Sequence, residues 1–367
     1  MWAFIFLAFS VFSIVGVVYL VTRVHRFSFV RKLGESHPVL AWLVSIPPVA
    51  ILALFLLINT YAAAVVVVHV LAIWLLCDLV AFLIRKCRKK ERGTRYIAGA
   101  VAIGISVVYL STGWFCAHHV FEASYAFETE KDLGGEPFRV VLISDSHIGI
   151  TLDGEDFARE MRRVQETNPD VVVICGDFVD DDTQKEDMIR SCRALGDLDP
   201  TYGVYFVYGN HDKGYYLYRN FTSQELREEL QKNDVVILED EVVLIDERVY
   251  LVGRQDRSVR DRMEMDALMD GLDGSKYTIL LDHQPNDYAN EAREGVDLVL
   301  SGHTHGGHLF PAMFFGVWMG LNDRSYGTEV RGGTRFLVTS GISGWGVPFK
   351  TGAISEYVVI DIEGKEN

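Results

Sequence analysis

The first 115 residues contain four long apolar stretches, and these limit the fold more than any other feature of the chain. They cover residues 4–21, 38–58, 61–83 and 96–115. Each is close to the roughly 20 residues that an α-helix needs to cross a bilayer. The sequence therefore predicts four transmembrane helices in residues 1–115. Pro47-Pro48 makes a kinked or re-entrant segment the alternative for the second stretch.

Charge changes sign at the same boundary. Residues 1–115 carry 11 Lys or Arg against 3 Asp or Glu, a net charge of +8, whereas residues 116–367 carry −23. The basic residues fall in two loops, at residues 23–32 and 85–95. Because Lys and Arg are enriched in cytoplasmic loops, we expect both loops in the cytoplasm. The chain is therefore expected to be a multi-pass plasma-membrane protein. After four spans, its C-terminal domain is expected to lie outside the cytoplasm.

One acidic residue, Asp78, interrupts the third apolar stretch. It lies two turns before Arg85. Ionisable residues inside membranes are candidates for function by default. A structural ion pair is the favoured interpretation here, because Asp78 lies near the cytoplasmic end of the predicted helix.

The rest of the chain alternates short strand and helix patterns. Nine strands and four helices are predicted between residues 139 and 360. This alternation favours an α/β domain, with bounds of 137–367 and a linker at 116–136. The acidic charge of this domain argues against a nucleic-acid partner, which would require a basic surface.

Five short polar motifs occur in order within this domain, each after an apolar run. They read Asp145-Ser146-His147, Gly176-Asp177-Phe178-Val179-Asp180, Gly209-Asn210-His211-Asp212, Asp282-His283 and Gly302-His303-Thr304-His305. Asp, Asn and His side chains are ligands for divalent metals. Sites in α/β sheets form where strands end. The motifs therefore predict a site with enough ligands for two metal ions.

This set of motifs resembles the calcineurin-like metallophosphoesterase superfamily, and Gly302-His303-Thr304-His305-Gly306-Gly307 resembles its bacterial, membrane-associated phosphodiesterase branch. The resemblance covers roughly residues 138–362 and implies a β-sandwich flanked by helices, with two divalent metal ions (Mn, Fe or Zn). It implies that one metal is bound by Asp145, His147, Asp177 and His305. It implies that the second is bound by Asp177, Asn210, His283 and His303, so that Asp177 bridges the two ions.

The resemblance also implies two catalytic residues. His211 would be the general acid that protonates the leaving oxygen, and Asp180 would orient its imidazole. Hydroxide activated by the metals would attack phosphorus.

Two positions depart from the family pattern. Asp181 stands where protein phosphatases of the superfamily usually carry Arg. An Arg would bind a phosphomonoester dianion, whereas an Asp repels it, which disfavours a protein phosphatase. His308 stands where the bacterial relatives usually have Gln. Its alternatives are a substrate contact, an extra metal ligand or a surface replacement, and the last is favoured.

Two apolar loops follow ligand motifs, at residues 214–219 and 309–320. Two interpretations of the second loop stay open: an apolar rim for a lipid tail or membrane surface, or a core strand and turn. Arg219, Arg324 or Arg331 are candidates to bind a substrate phosphate, although solvated arginines are more usual.

These patterns favour a membrane-anchored, dinuclear-metal phosphoesterase. Its expected substrate is a phosphodiester or pyrophosphate, in a lipid-linked or envelope molecule, and its other partner is the lipid bilayer. The alternative is a transmembrane scaffold or transporter with a ligand-sensing outer domain. The predicted spans offer few polar side chains to line a transport path.

Overall fold

The apolar N-terminal part of the chain forms helices. The computed structural model describes residues 2–89, 95–214 and 219–364, with side chains described for residue 11 and from residue 14 onward within those ranges. The chain divides into two units, Met1–Gly113 and Trp114–Asn367. The first unit contains α1 (Trp2–Val24), α2 (Ser28–Ser36), α3 (Pro38–Ser45), α4 (Pro47–Ala50), a 3-10 helix (Ile51–Leu57), α5 (Thr60–Arg88) and most of α6 (Ile97–His118).

Among the described residues, three stretches of helix are long and apolar enough to cross a membrane, and they coincide with three of the four predicted spans. They are Pro38–Leu57, Thr60–Arg88 and Ile97–His118. The first predicted span falls in α1, where the side chains of residues 2–10, 12 and 13 lie outside the described residues, so a fourth span stays a prediction. The kinked alternative for the second stretch is the one observed: α3 ends at Ser45 and Pro47 begins a new short helix. Proline cannot donate a backbone hydrogen bond to the preceding turn.

The ion pair of Asp78 is present, but its predicted partner was wrong. Asp78 Oδ2 lies 3.1 Å from Arg23 Nε and 3.4 Å from Arg26 Nη1. Tyr96 Oη donates a hydrogen bond of 2.7 Å to the other carboxylate oxygen. Arg23 at the end of α1 and Arg26 in the turn after it, rather than Arg85 two turns further along α5, therefore balance this charge. The contacts join α1, α5 and the start of α6.

Two six-stranded mixed sheets build the second unit. The strands are β1 (Val120–Thr129), β2 (Phe138–Ile143), β3 (Val171–Cys175), β4 (Val204–Val207), β5 (Val236–Ile237), β6 (Glu241–Ile245), β7 (Val249–Gly253), β8 (Tyr277–Leu281), β9 (Leu298–Ser301), β10 (Gly327–Arg331), β11 (Thr334–Val338) and β12 (Ser355–Gly364). Their order is β1-β12-β2-β3-β4-β5 in the first sheet and β10-β11-β9-β8-β7-β6 in the second.

Helices follow several of the strands in this unit, and the longer ones bury side chains against the sheets. They are α7 (Gly154–Glu166), α8 (Lys185–Gly196), α9 (Ser223–Lys232), α10 (Met265–Met269), α11 (Tyr288–Arg293) and α12 (Phe315–Trp318), with 3-10 helices at His305–Gly307 and Ala312–Phe314. Alternation along each strand assigns side chains to two cores. In β2, Leu142 joins Leu300 of the second sheet in the core between the sheets. Its neighbour Ile143 packs with Phe157 of α7 in the outer core. The α/β prediction is confirmed.

The prediction of a linker at 116–136 was wrong for its central part. Residues of β1 pair in parallel with β12 over ten positions, from Val120 with Ser355 to Thr129 with Gly364. The strand is partly exposed along most of its length, so its sequence lacks the apolar run that marks a buried strand. β10 was missed for the same reason, since it is short and largely half-buried, whereas β6 was missed although it contains the apolar run Val242-Val243-Leu244-Ile245.

Candidate metal centre

The five polar motifs all begin where a strand ends. In the first sheet, β2, β3 and β4 are parallel neighbours, so their carboxyl ends lie along one edge. In the second sheet, β8 and β9 are likewise parallel and adjacent. Because the loops after these five strands carry the motifs, the topology brings the predicted site residues together.

One cluster consists of Asp145, His147 and His305, all buried. His147 Nε2 lies 3.1 Å from His305 Nε2, and His305 Nε2 lies 3.6 Å from Asp145 Oδ1. Three ligand atoms thus converge on one small volume. These are three of the four residues predicted to bind the first metal.

A second cluster consists of Asp177, His283 and His303. His283 Nε2 lies 3.1 Å from Asp177 Oδ2. His283 Nδ1 donates a 2.8 Å hydrogen bond to the carbonyl oxygen of Cys175, which fixes that proton and directs Nε2 toward Asp177. These residues are three of the four predicted for the second metal.

The carboxylate of Asp177 lies between the two clusters. Its Oδ2 is 3.7 Å from His147 Nε2 of the first cluster as well as 3.1 Å from His283 Nε2 of the second. Asn210, the remaining predicted ligand, follows β4, and Gln284 Nε2 lies 3.4 Å from its Oδ1. The backbone N–H of the adjacent His211 donates a 2.8 Å hydrogen bond to Asp177 Oδ1.

Asp180 contacts two imidazoles. Its Oδ2 lies 3.0 Å from His147 Nδ1 and its Oδ1 lies 3.1 Å from His211 Nδ1. The sequence predicted the second contact and missed the first. Since both nitrogens donate to this carboxylate, Nε2 of each ring points away from it.

Backbone geometry in the site is strained. Five predicted ligands adopt a positive φ: Asp145 (53°), His147 (34°), Asp177 (52°), His303 (67°) and His305 (50°). Such conformations cost of order 1–3 kcal/mol each for residues other than glycine, and they cluster at functional sites. The concentration of strained residues here indicates that the backbone conformation of these loops serves to place side chains rather than to maximise stability.

Two glycines allow the ligand loops to touch. A Cβ on Gly209 would lie 2.3 Å from Asp177 Oδ1. A Cβ on Gly302 would lie 2.2 Å from Asp145 Oδ2. Neither approach is open to a larger residue.

The donor set fits divalent cations. His303 Nδ1 is buried and lacks a hydrogen-bond partner among the described residues, a costly state unless a ligand satisfies it. Burial, aided by the charge of His283, lowers the pKa of His303 to about 4. Burial and His147 likewise lower the pKa of His305. Both rings are therefore neutral at pH 7, the form that binds metals.

Comparison with known proteins agrees with this geometry. A family model described as calcineurin-like phosphoesterase matches residues 138–307. A metallophosphoesterase of Aquifex aeolicus is 32% identical over 252 residues, which are 66% of this chain and 92% of that protein. The chain belongs to the calcineurin-like phosphoesterase family. This family binds divalent metals, and membership indicates a metal-dependent phosphoester hydrolase.

Other metallophosphoesterases match over part of their length. One from Campylobacter jejuni is 32% identical over 65% of this chain, which spans 61% of that protein. A transmembrane protein with a metallophosphoesterase domain from Danio rerio is 33% identical over 59% of this chain, which spans 51% of it. Together with the three apolar helices, such relatives indicate a membrane protein.

Asp212 of this metallophosphoesterase has a role that the sequence analysis missed. Its buried carboxylate accepts backbone hydrogen bonds from Asp177 (2.9 Å), Phe178 (2.8 Å), Val179 (3.1 Å) and Gly209 (2.7 Å). It therefore joins the loop after β3 to the loop after β4. Its position directly after Asn210-His211 was the only available signal.

Lys350 is a second residue that was missed. It is almost fully buried, and its Nζ donates to the carbonyl oxygens of Ser340 (2.6 Å), Gly341 (3.0 Å) and Ile354 (3.1 Å). Gly341 packs directly on Asp145, since a Cβ there would lie 2.6 Å from Asp145 Cβ. Lys350 thus stabilises the backbone behind a predicted ligand, although nothing in its local sequence indicates this.

The interpretation of His308 as a surface replacement was wrong. Both of its imidazole nitrogens are buried, and its ring centroid lies 5.4 Å from that of His305. The 3-10 turn at His305–Gly307, followed by a positive φ of 50° at His308, turns the ring inward.

The three candidate phosphate-binding arginines all contact protein groups. Arg219 is buried and donates a 2.5 Å hydrogen bond to the carbonyl oxygen of Asp212. Arg324 pairs with Glu329 at 3.1 Å, and Arg331 pairs with Asp323 at 2.8 Å.

The two apolar loops have different outcomes. Residues 215–218 of the first loop lie outside the described residues. The second loop forms short exposed helices, so the core-strand alternative was wrong: Phe310 is 50% exposed and Trp318 is 73% exposed.

Replacing Asp212 with Asn should weaken metal binding by about 10–100-fold, the usual effect of losing a group that orients ligands. The amide keeps one acceptor oxygen but places an NH2 against backbone N–H groups that now find a carboxylate. Isothermal titration calorimetry with Mn²⁺ would measure the change in metal affinity. Asp197→Asn, which removes an exposed carboxylate at the end of α8, is the matched control and should bind Mn²⁺ as the unmodified chain does.

Proposed function

We propose that this chain is a membrane-anchored phosphoesterase that uses two divalent metal ions (Mn, Fe or Zn) to hydrolyse a phosphodiester or pyrophosphate bond. The observation that carries the proposal is the position of Asp177, whose Oδ2 faces His147 of one cluster and His283 of the other. One carboxylate has two oxygens and can bind two cations. A metal pair bound in this way can stabilise both the attacking and the leaving oxygen of an in-line displacement.

Each metal would take four ligands. Asp145, His147, Asp177 and His305 would bind the first, and Asp177, Asn210, His283 and His303 the second. When bound, such ions act as Lewis acids and lower the pKa of coordinated water, so that a nucleophile exists at neutral pH.

His211 supplies the proton for the leaving group. Burial alone would lower the pKa of His211, but the hydrogen bond with Asp180 and the charge of Asp177 outweigh it and raise the pKa to about 9. The imidazole therefore carries a proton at neutral pH, and the positive charge of bound metals would bring that pKa down toward the working range. Asp180 holds Nδ1, which leaves Nε2 to donate to the leaving oxygen.

The substrate class follows from the charge beside His211 and from the membrane helices. Asp181 directly follows Asp180 and adds negative charge where an Arg would bind a monoester dianion. A phosphodiester, or a pyrophosphate esterified at both ends, carries one negative charge per phosphorus instead of two, so its reacting phosphoryl group is repelled less. Half-exposed Trp345 packs edge-on against His211 at 5.7 Å, an apolar wall beside the leaving group. A lipid-linked or envelope substrate on the extracytoplasmic side suits a membrane-anchored site whose basic loops face the cytoplasm.

Asp177→Asn should abolish metal-dependent hydrolysis, because an amide offers only one ligand oxygen to two cations. The measurement is turnover of an aryl phosphodiester by the detergent-purified, Mn²⁺-loaded chain, together with its metal content. Asp197→Asn is the control and should keep full activity. Undiminished turnover by Asp177→Asn would contradict the proposed mechanism.

His211→Asn should slow hydrolysis by about 10²–10⁴-fold for a substrate with a poor, alkoxide-like leaving group. A nitrophenolate leaves without protonation, so the loss should be much smaller for a nitrophenyl diester. Comparing the two substrates separates proton donation from metal binding. Equal losses on both would show that His211 acts in another way.

Asp181→Arg should raise the ratio of monoester to diester hydrolysis by about tenfold, as expected for one charge-assisted hydrogen bond worth about 1.5 kcal/mol. The measurement is kcat/KM for matched aryl monoester and diester substrates. Asp182→Arg makes the same charge change at the next, exposed position and should leave the ratio nearly unchanged. A ratio unaffected by Asp181→Arg would remove this residue from substrate selection.

A further inference from the structure

Residues 309–321, here called the apolar segment, expose nearly all of their large apolar side chains. Those exposed are Phe310 (50%), Phe314 (42%), Phe315 (51%), Val317 (41%), Trp318 (73%), Met319 (65%) and Leu321 (58%). The segment contains no charged residue. A contiguous apolar surface of this kind is rare on a soluble face and marks an interaction surface.

The aromatic rings of the segment are ordered among themselves. Phe314 stacks on Trp318 with centroids 5.5 Å apart, and Phe315 meets the same indole edge-on at 6.0 Å. The surface therefore exists before any partner binds, which lowers the entropy cost of binding.

Hydrogen bonds attach the segment to the metal site. Thr304, between the two predicted ligands of its motif, donates a 2.6 Å hydrogen bond to the carbonyl oxygen of Ser325. Ser325 Oγ in turn donates to the carbonyl oxygen of Met313 at 3.1 Å. Whatever binds the apolar segment is thereby held at the rim of the site.

We propose that the apolar segment is a membrane-contact surface, which inserts into the interface of the same bilayer that holds the helices of this chain. Trp and Phe with Leu and Met are the residue types that settle at the boundary between head groups and acyl chains. The chain itself places a bilayer within reach. β1 begins at Val120, two residues after α6 ends at His118, a connection of about 7 Å at most.

The contact is with hydrocarbon rather than with anionic head groups. The nearest arginines along the chain, Arg324 and Arg331, already pair with Glu329 and Asp323. Insertion therefore needs neither acidic lipid nor low salt, because screening acts on exposed charges and leaves apolar burial in place.

The consequence for the substrate rests on the proposed function. The segment begins four residues after His305, a predicted metal ligand. A site whose rim lies in the interface meets phosphate groups at the level of lipid head groups. It would hydrolyse a lipid-borne phosphoester in preference to one dissolved in water.

Depth-dependent quenching tests the membrane contact on the full chain. Cys77, Cys87 and Cys116 are replaced by Ser, and an NBD fluorophore is attached at Trp318→Cys; the control carries NBD at Val236→Cys, an exposed apolar position on β5. Each protein is placed, one copy per disc, in neutral phosphatidylcholine nanodiscs with and without doxyl-labelled lipid.

At position 318 we expect blue-shifted NBD emission, and we expect doxyl lipid to quench its intensity about twofold or more. Both effects should be the same at low and high salt. At position 236 we expect neither effect. Water-like emission at 318 would overturn the proposal. So would a shielded fluorophore that doxyl lipid does not quench, since protein rather than lipid would then cover the surface.

Activity provides a second test. Phe315→Ser combined with Trp318→Ser should lower hydrolysis of a vesicle-borne lipid phosphodiester by about tenfold, from lost apolar burial, and leave a soluble aryl phosphodiester unchanged. Val236→Ser with Leu244→Ser is the matched exposed control. Equal losses on both substrates would mean that the segment only supports the site. Activity retained by Asp177→Asn would refute the proposed function and leave the quenching result standing.

Discussion

The carboxylate of Asp177 is the contact on which the rest of the site depends. Its two oxygens face histidines of separate clusters and the backbone of the His211 loop. The backbone N–H of Asp177 donates a hydrogen bond to Asp212, and packing against the neighbouring loops stabilises its φ of 52°. Glycine at 209 is what lets those loops approach. The free energy gained by packing the two sheets thus offsets the backbone strain that positions the Asp177 side chain.

This arrangement gathers negative charge where water is scarce. Asp145, Asp177 and Asp212 are all nearly or fully buried within the same group of loops. Buried carboxylates require counter-charges, and His303, whose Nδ1 lacks a partner among the described residues and whose pKa is lowered, offers a ligand atom rather than a positive charge. Divalent cations resolve both problems together, so metal binding and the stability of these loops are expected to be linked.

Much of the site could be predicted from sequence because its ligands follow buried strands directly. Asp145 comes two residues after β2, and His283 two residues after β8, so strand prediction alone places them at the sheet edges. The resemblance supplied the grouping of ligands, which spacing does not contain. Roles that depend on folding over long distances were not predictable. The hold of Lys350 on the backbone behind Asp145 and the pairing of β1 with β12 are examples. The prediction that His308 lies on the surface was wrong because its burial arises from a backbone turn that the neighbouring sequence does not indicate.

Asp180 has a consequence beyond orientation. One carboxylate receives the Nδ1–H of His147, a proposed metal ligand, and of His211, the proposed proton donor. Any change in charge on one imidazole alters how strongly the shared carboxylate holds the other. If His147 binds a metal as proposed, occupancy of that site and the proton affinity of His211 are thermodynamically reciprocal: bound metal would lower the pKa of His211, and deprotonation of His211 would raise the affinity for the metal by the same factor. Under the proposed mechanism, the acid strength of His211 would therefore depend on whether the neighbouring metal site is occupied.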